Sequence, residues 1–185
     1  MMRMIYIIVK TLTIPGAILH GFFEHMSCRW TKVLVDDART VQFNEMLGHI
    51  DHELIRRKGA SFDICFIPFF FNLALSFLTL SYGATTICYF GRFDDWFAWA
   101  CLYLGISLCT NLFPQIEDVM MLKENFFINN EKKLSKILVA PFYAIFFVGA
   151  RLEKWGLSLI TSILFALAVP SILGIFIPTV YGLLK

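Results

Sequence analysis

Charged side chains are scarce in this chain of 185 residues, at 16% of the composition against about 25% in soluble domains. The longest run without charge covers residues 155–184, thirty consecutive positions. About 20 apolar residues suffice to cross the ~30 Å hydrocarbon core of a bilayer. The shortage of charge therefore excludes an ordinary soluble domain and predicts a protein embedded in a membrane.

Other features are also missing. A net charge of only +2 gives no reason to expect nucleic-acid binding. The five cysteines include no CxxC pair and lie mostly in apolar segments, which indicates small buried side chains rather than a disulfide framework. No internal repeat or linker divides the chain. We therefore predict one membrane domain over residues 1–185.

Apolar segments alternate with polar stretches along the whole chain. Backbone groups in lipid must be satisfied internally, so these segments are predicted to be helices. The fold class is thus all-α, a polytopic helical membrane protein of about five transmembrane segments, within a range of four to six. The fourth segment is either a short span or a re-entrant piece, and the fifth is either one kinked helix or a broken pair. The segments lie at about 4–23, 64–90, 96–114, 137–150 and 155–184, and the largest polar loop is 24–63.

Basic residues concentrate in loops 24–63 and 115–136. Cytoplasmic loops of membrane proteins carry an excess of Lys and Arg. We therefore predict that both loops face the cytoplasm and that the N-terminus lies outside.

Imidazole and carboxylate groups cluster in the first part of the chain. His20 and Glu24 are four residues apart and share one face of a helix. Together with an acid after the third segment, such groups are typical of a metal site with nitrogen and oxygen ligands. Side chains that are merely solvated or ion-paired are the alternative interpretation. The remaining candidates are His25, His49, His52, Glu53 and Asp118.

Three motifs occur in a recognisable order: PGAILHGFFEH at 15–25, IPFFFN at 67–72 and NLFPQIED at 111–118. The chain resembles the site-2-protease-like membrane zinc metalloproteases, which carry HExxH on a membrane helix, then a GPxxN-type motif, then an Asp after an NxxP-type turn. The resemblance covers residues 14–120. It implies zinc held by His20, Glu24 and Asp118, and a substrate-positioning role for Asn72.

The departures from that pattern concern catalysis. The family's catalytic Glu falls on Gly21, its second His falls on Glu24, and the Gly of GPxxN falls on Ile67. In HExxH enzymes the Glu is the general base that activates the metal-bound water. Glu53 and His25 are the candidates to replace it. His25 would also serve as a ligand if a π-bulge turned it toward His20.

The favoured hypothesis is a pseudoprotease-like binding or regulatory membrane protein that retains a metal site, with zinc as the candidate ion. The alternative is an active metal-dependent membrane peptidase with an altered His/Glu/Asp site. A di-iron membrane enzyme and a small subunit without chemistry are further options. The expected partners are the lipid bilayer and another transmembrane protein or peptide. The resemblance implies the plasma membrane of a prokaryote.

Overall fold

The computed structural model describes residues 2–41, 47–128 and 133–183, with side chains in 4–41, 47–128 and 134–174. Within these ranges helices account for almost all regular structure, so the predicted all-α class is confirmed. The helices are α1 (Met2–Leu12), α2 (Ile14–Thr31), α3 (Lys58–Ala84), α4 (Trp96–Thr110), α5 (Ile116–Lys123), α6 (Lys133–Lys154) and α7 (Ser158–Leu183). Single π-helical segments follow α3 at Thr85–Tyr89 and α5 at Glu124–Ile128.

The first apolar segment is broken at Thr13, where α1 and α2 meet at 91°. Pro15 lies in the first turn of α2, where its missing N–H is not needed by the helix. The Thr13 carbonyl oxygen accepts the helical hydrogen bond from Ala17 N at 3.1 Å and further hydrogen bonds from Ser107 Oγ at 2.9 Å and from Asn111 Nδ2 at 3.1 Å. Side chains of the third segment therefore bind the backbone directly at the break.

The number of long apolar helices is lower than predicted. Two described helices are long and apolar enough to cross a membrane, Lys58–Tyr89 and Leu134–Lys154, and a third span results if the bent α1–α2 pair crosses as one. The fourth predicted segment becomes long enough because its helix continues through the charged residues at both ends. The third segment forms a helix of only 15 residues, α4. The fifth forms the single helix α7, whose side chains are described only to residue 174.

Close helix packing relies on small residues. A Cβ on Gly16 of α2 would lie 2.1 Å from the Ser107 carbonyl oxygen of α4, and a Cβ on Gly83 of α3 would lie 2.5 Å from the Leu102 nitrogen of α4. Small residues allow such backbone contact between membrane helices. Phenylalanines fill the wider gap between α3 and α6, with Phe69 and Phe146 at a ring-centroid distance of 5.2 Å. These contacts arrange α2, α3, α4 and α6 around the polar groups described next.

The polar loop is shorter than predicted and contains a small sheet. Helix α2 continues to Thr31, and α3 begins at Lys58. Between them, β1 (Val35–Asp37) pairs antiparallel with β2 (Asp51–His52). The backbone hydrogen bond from Gly48 N to Thr40 O, at 2.9 Å, closes the excursion between the strands. The loop thus folds back onto α2 instead of extending away from the helices.

Candidate metal centre

Helix α2 presents His20 and Glu24 on its buried face, one turn apart. Their side chains are 1% and 2% exposed, and His20 Nε2 lies 3.8 Å from Glu24 Oε2. A carboxylate and an imidazole buried to this degree need partners, because an isolated buried charge is very costly. The rest of the site supplies those partners.

The loop before β2 delivers His49 to the same place. Gly48 has a positive φ of 86° and packs against Ala17 of α2, so the chain turns His49 inward. His49 Nδ1 lies 3.2 Å from Glu24 Oε2, and its ring is 4.9 Å from that of His20 in an edge-on arrangement. Burial and the charge of Lys10 lower the pKa of His49, but hydrogen bonds to the carboxylates of Glu153 and Glu24 outweigh them and raise it overall.

Gly21 is the reason that the loop can approach α2. A Cβ at this position would lie 2.6 Å from Thr40 Cγ2 and 3.1 Å from the Gly48 carbonyl oxygen. The space that the catalytic Glu would need in an HExxH enzyme is therefore filled by the loop itself. The same loop places His49 against Glu24.

A second pair of side chains adjoins Glu24. His52 belongs to β2, and Asp118 lies at the start of α5. The distance between His52 Nε2 and Asp118 Oδ1 is 3.2 Å. Burial lowers the pKa of His52, but the hydrogen bond and the negative charge of Asp118 outweigh it and raise that pKa to about 9. His52 and Asp118 therefore form an ion pair beside Glu24.

Two sets of potential metal ligands result among the described residues. One consists of His20, Glu24 and His49, all buried, and the other of Glu24, His52 and Asp118. Within each set the ligand atoms lie within 4.8 Å of one another. The two sets share Glu24, so they lie side by side.

The second ring nitrogen of each histidine also has a partner. His20 Nδ1 lies 3.2 Å from Asn72 Nδ2, His49 Nε2 lies 3.7 Å from Glu153 Oε1, and His52 Nδ1 lies 3.0 Å from the Glu53 carbonyl oxygen. Metal-binding histidines almost always donate their second N–H to a carbonyl or carboxylate. His20 departs from this pattern, because the Asn72 amide nitrogen beside its Nδ1 is a donor that also binds the Asn111 carbonyl oxygen.

The geometry fits a tetrahedral ion. Zinc with bonds of about 2.0–2.1 Å places its ligand atoms about 3.3 Å apart. The distances from Glu24 Oε2 to His49 Nδ1 and to His20 Nε2, 3.2 and 3.8 Å, bracket this value. His20 Nε2 is also buried without a hydrogen-bond partner among the described residues. These side chains could therefore hold a metal.

A buried ion pair supports the site from the side of α1 and α6. Lys10 Nζ lies 2.5 Å from Glu153 Oε1 and 3.4 Å from His49 Nε2. A lysine within an apolar segment either extends toward the membrane surface or pairs with an acid, and Lys10 is paired. Sequence spacing gives no sign of this pair, because Glu153 lies 143 positions from Lys10, between basic residues at the end of a span.

The other predicted residues lie in different surroundings. Helix α2 continues through His25 without a π-helical turn, and the half-buried His25 belongs to neither ligand set. The exposed Glu53 uses its carboxylate to accept a hydrogen bond from Leu34 N at 3.3 Å. Glu53 likewise belongs to neither of the two ligand sets. Asn72 joins three elements, because its amide also donates to the Asn111 carbonyl oxygen at 2.8 Å.

A cavity of about 520 Å³ opens beside the second ligand set. It lies between α1, β2, the start of α5 and the end of α6. It provides access to His49 and to the ion pair of His52 and Asp118, whereas His20 and Glu24 are not part of its lining. The polar groups on its wall include Tyr6, His49, His52, Glu117, Asp118 and Glu153.

No family model, no curated protein and no solved structure matches this chain. What defines the protein is therefore its own geometry: a helical protein with candidate membrane spans and buried His, Glu and Asp groups able to hold a metal ion.

Proposed function

We propose that the protein is an integral membrane protein that holds a zinc ion on His20, Glu24 and His49 and works by binding or regulating another membrane segment rather than by cleaving it. The observation that carries the proposal is the buried His20 Nε2, which has no hydrogen-bond partner among the residues that the structure describes and lies beside Glu24 and His49. The motif order that resembles the site-2-protease-like metalloproteases supports the choice of zinc.

Zinc suits the chemistry of these side chains. It accepts imidazole nitrogen and carboxylate oxygen, and three protein ligands are the usual number in its catalytic sites. Glu153 would fix the ring of His49 through its second nitrogen. The anionic Glu24 ligand, in place of the family's second His, would reduce the charge of the centre.

The loss of the general base argues against proteolysis. A hydrolase of this type needs a carboxylate next to the metal-bound water. Gly21 carries none, and Thr40 and Gly48 occupy its surroundings. We therefore place the protein among pseudoprotease-like binding or regulatory proteins.

The partners follow from the exposed surface and from the resemblance. Both long apolar helices expose large aliphatic or aromatic side chains, as expected of surfaces that face lipid. The resemblance further suggests a prokaryotic plasma membrane and a transmembrane protein or peptide as the bound partner. The excess of Lys and Arg in loops 24–63 and 115–136 favours a cytoplasmic location for both loops. Examples of the exposed side chains are Phe70, Leu78, Ile137, Leu138, Ile145 and Val148.

Elemental analysis of detergent-purified protein tests the metal site. We expect at least one zinc per chain in the wild type, a large loss in His20→Ala and in His49→Ala, and no loss in His25→Ala. His25 is the matched control, since it lies in the same helix and belongs to neither ligand set. Absence of metal from a folded wild-type sample would contradict the proposal.

An active peptidase with an altered site is the second candidate, and the cavity beside His49 and Asp118 favours it. The two candidates differ in one measurement. Zinc-loaded protein incubated with transmembrane peptides should leave them intact if the first proposal is right. Cleavage that stops on chelation and is lost in His20→Ala would establish the peptidase instead.

A further inference from the structure

Glu24 belongs to both ligand sets, and this shared position suggests more than one ion. We propose that the centre holds two divalent metal ions, one on His20 and His49 and one on His52 and Asp118, with the Glu24 carboxylate bridging them. The inference rests on the proposed function, since it adds a second ion to the first.

The distances suit a bridged pair. The second set keeps its ligand atoms within 4.8 Å, and His52 Nε2 and Asp118 Oδ1 are 3.2 Å apart, close to the ~3.3 Å expected for two ligands of one tetrahedral ion. Metal ions in two-metal sites are about 3.5–4 Å apart. A carboxylate has two oxygens and can bind one ion through each.

The hydrogen bonds around the second set prepare His52 for metal binding. Its Nδ1 lies 3.0 Å from the Glu53 carbonyl oxygen. A carbonyl oxygen can only accept a hydrogen bond, so Nδ1 carries the N–H. Its Nε2 is thereby directed toward Asp118 and Glu24. This is the arrangement that orients metal-binding histidines.

Within the described part of the chain, the ion pairs of Glu24 and Asp118 are formed with histidines. Lys10 is bound to Glu153 and lies on the far side of His49 from Glu24. The ligands of the two ions therefore include two carboxylates, Glu24 and Asp118, and three imidazoles. Zinc, manganese and cobalt all accept this mixture of nitrogen and oxygen ligands.

The two ions would differ in their access to solvent. His52 and Asp118 line the cavity, whereas His20 and Glu24 do not. We therefore expect a chelator to remove the ion of the second set first and that of the first set more slowly.

Cobalt titration of the metal-free protein tests the pair. Wild type and His25→Ala should each bind two Co²⁺ per chain, and His52→Gln and Asp118→Asn should bind one. These two substitutions are close in size to the native side chains, and helix content from circular dichroism checks that the variants fold. Electron paramagnetic resonance should show spin coupling in the doubly loaded wild type and uncoupled Co²⁺ in the single-site variants.

The failures of the two proposals are distinguishable. One Co²⁺ per chain in the wild type, unchanged in His52→Gln and Asp118→Asn but lost in His20→Ala, would overturn the bridged pair and leave the first site intact. No Co²⁺ on folded wild type would overturn both. Two uncoupled ions that persist in Asp118→Asn would place the second ion elsewhere and would also overturn the pair.

Discussion

Gly21 is the residue at which this site departs from the HExxH pattern. In the sequence, Gly21 follows His20 directly, at the position where the HExxH pattern has its Glu. In the structure, the backbone at Gly21 packs against Thr40 and Gly48. The loop that carries His49 can therefore lie close to α2. The absence of a side chain at position 21 and the contact of His49 with Glu24 thus have the same structural origin.

Substitution of Gly21 tests this account. Gly21→Ala should destabilise the protein by about 1–3 kcal/mol, the usual cost of overpacking, because its Cβ would meet Thr40 Cγ2 at 2.6 Å. Thermal unfolding in detergent measures the effect. Thr40→Ala removes the obstructing methyl group, so the double variant Gly21→Ala with Thr40→Ala should recover part of the loss. Additive effects of the two changes would contradict the proposed contact.

At the scale of elements, the site depends on a broken helix and on an ion pair between helices. The break at Thr13 gives α1 and α2 different directions, so Lys10 and His20 approach the loop from different sides. Lys10 joins α1 to Glu153 at the end of α6, and both groups contact His49. The pair therefore connects the metal ligands to the outer helices.

Removal of one partner of this pair should be costly. Lys10→Met removes the lysine partner of the buried Glu153 carboxylate and leaves the more distant His49 beside it, for which we expect a loss of about 3–5 kcal/mol. The double variant Lys10→Met with Glu153→Gln removes both charges and should be clearly more stable than Lys10→Met alone. Unfolding followed by circular dichroism in mixed detergent compares the three proteins. A double variant no more stable than Lys10→Met would show that charge is not the cause.

At the scale of the whole molecule, the site places the two polar loops on one side. His52 lies in the loop after α2, Asp118 lies after α4, and the two side chains are in contact. Helix α3 begins at Lys58, six residues after His52, and its π-helical continuation ends at Tyr89, a stretch long enough to cross a bilayer. The exposed Cys88 therefore lies at the opposite end of the span.

Cysteine labelling in sealed vesicles tests this arrangement. In a background without other cysteines, Arg56→Cys and Lys123→Cys occupy exposed positions in the two loops. A membrane-impermeant maleimide should label both from the same side, and Cys88 alone only from the other side. Labelling of Arg56→Cys and Lys123→Cys from opposite sides would be incompatible with the contact of His52 with Asp118.

The sequence by itself determined what depends on composition and on short spacing. Scarce charge and long apolar runs predict helices in a membrane, because lipid requires internally bonded backbone. The four-residue spacing of His20 and Glu24 predicts a shared face, because helix geometry is local. The number of spans was overestimated, since apolar content shows neither the break at Thr13 nor the shortness of α4.

Only the tertiary structure decided which groups meet at the centre. His49 reaches Glu24 across 25 positions through a loop whose path depends on Gly48 and Gly21, and Lys10 meets Glu153 across 143 positions. His25, adjacent to Glu24 in sequence, lies apart because the helix remains regular. Such contacts depend on how distant elements pack, and no local pattern of residues encodes them.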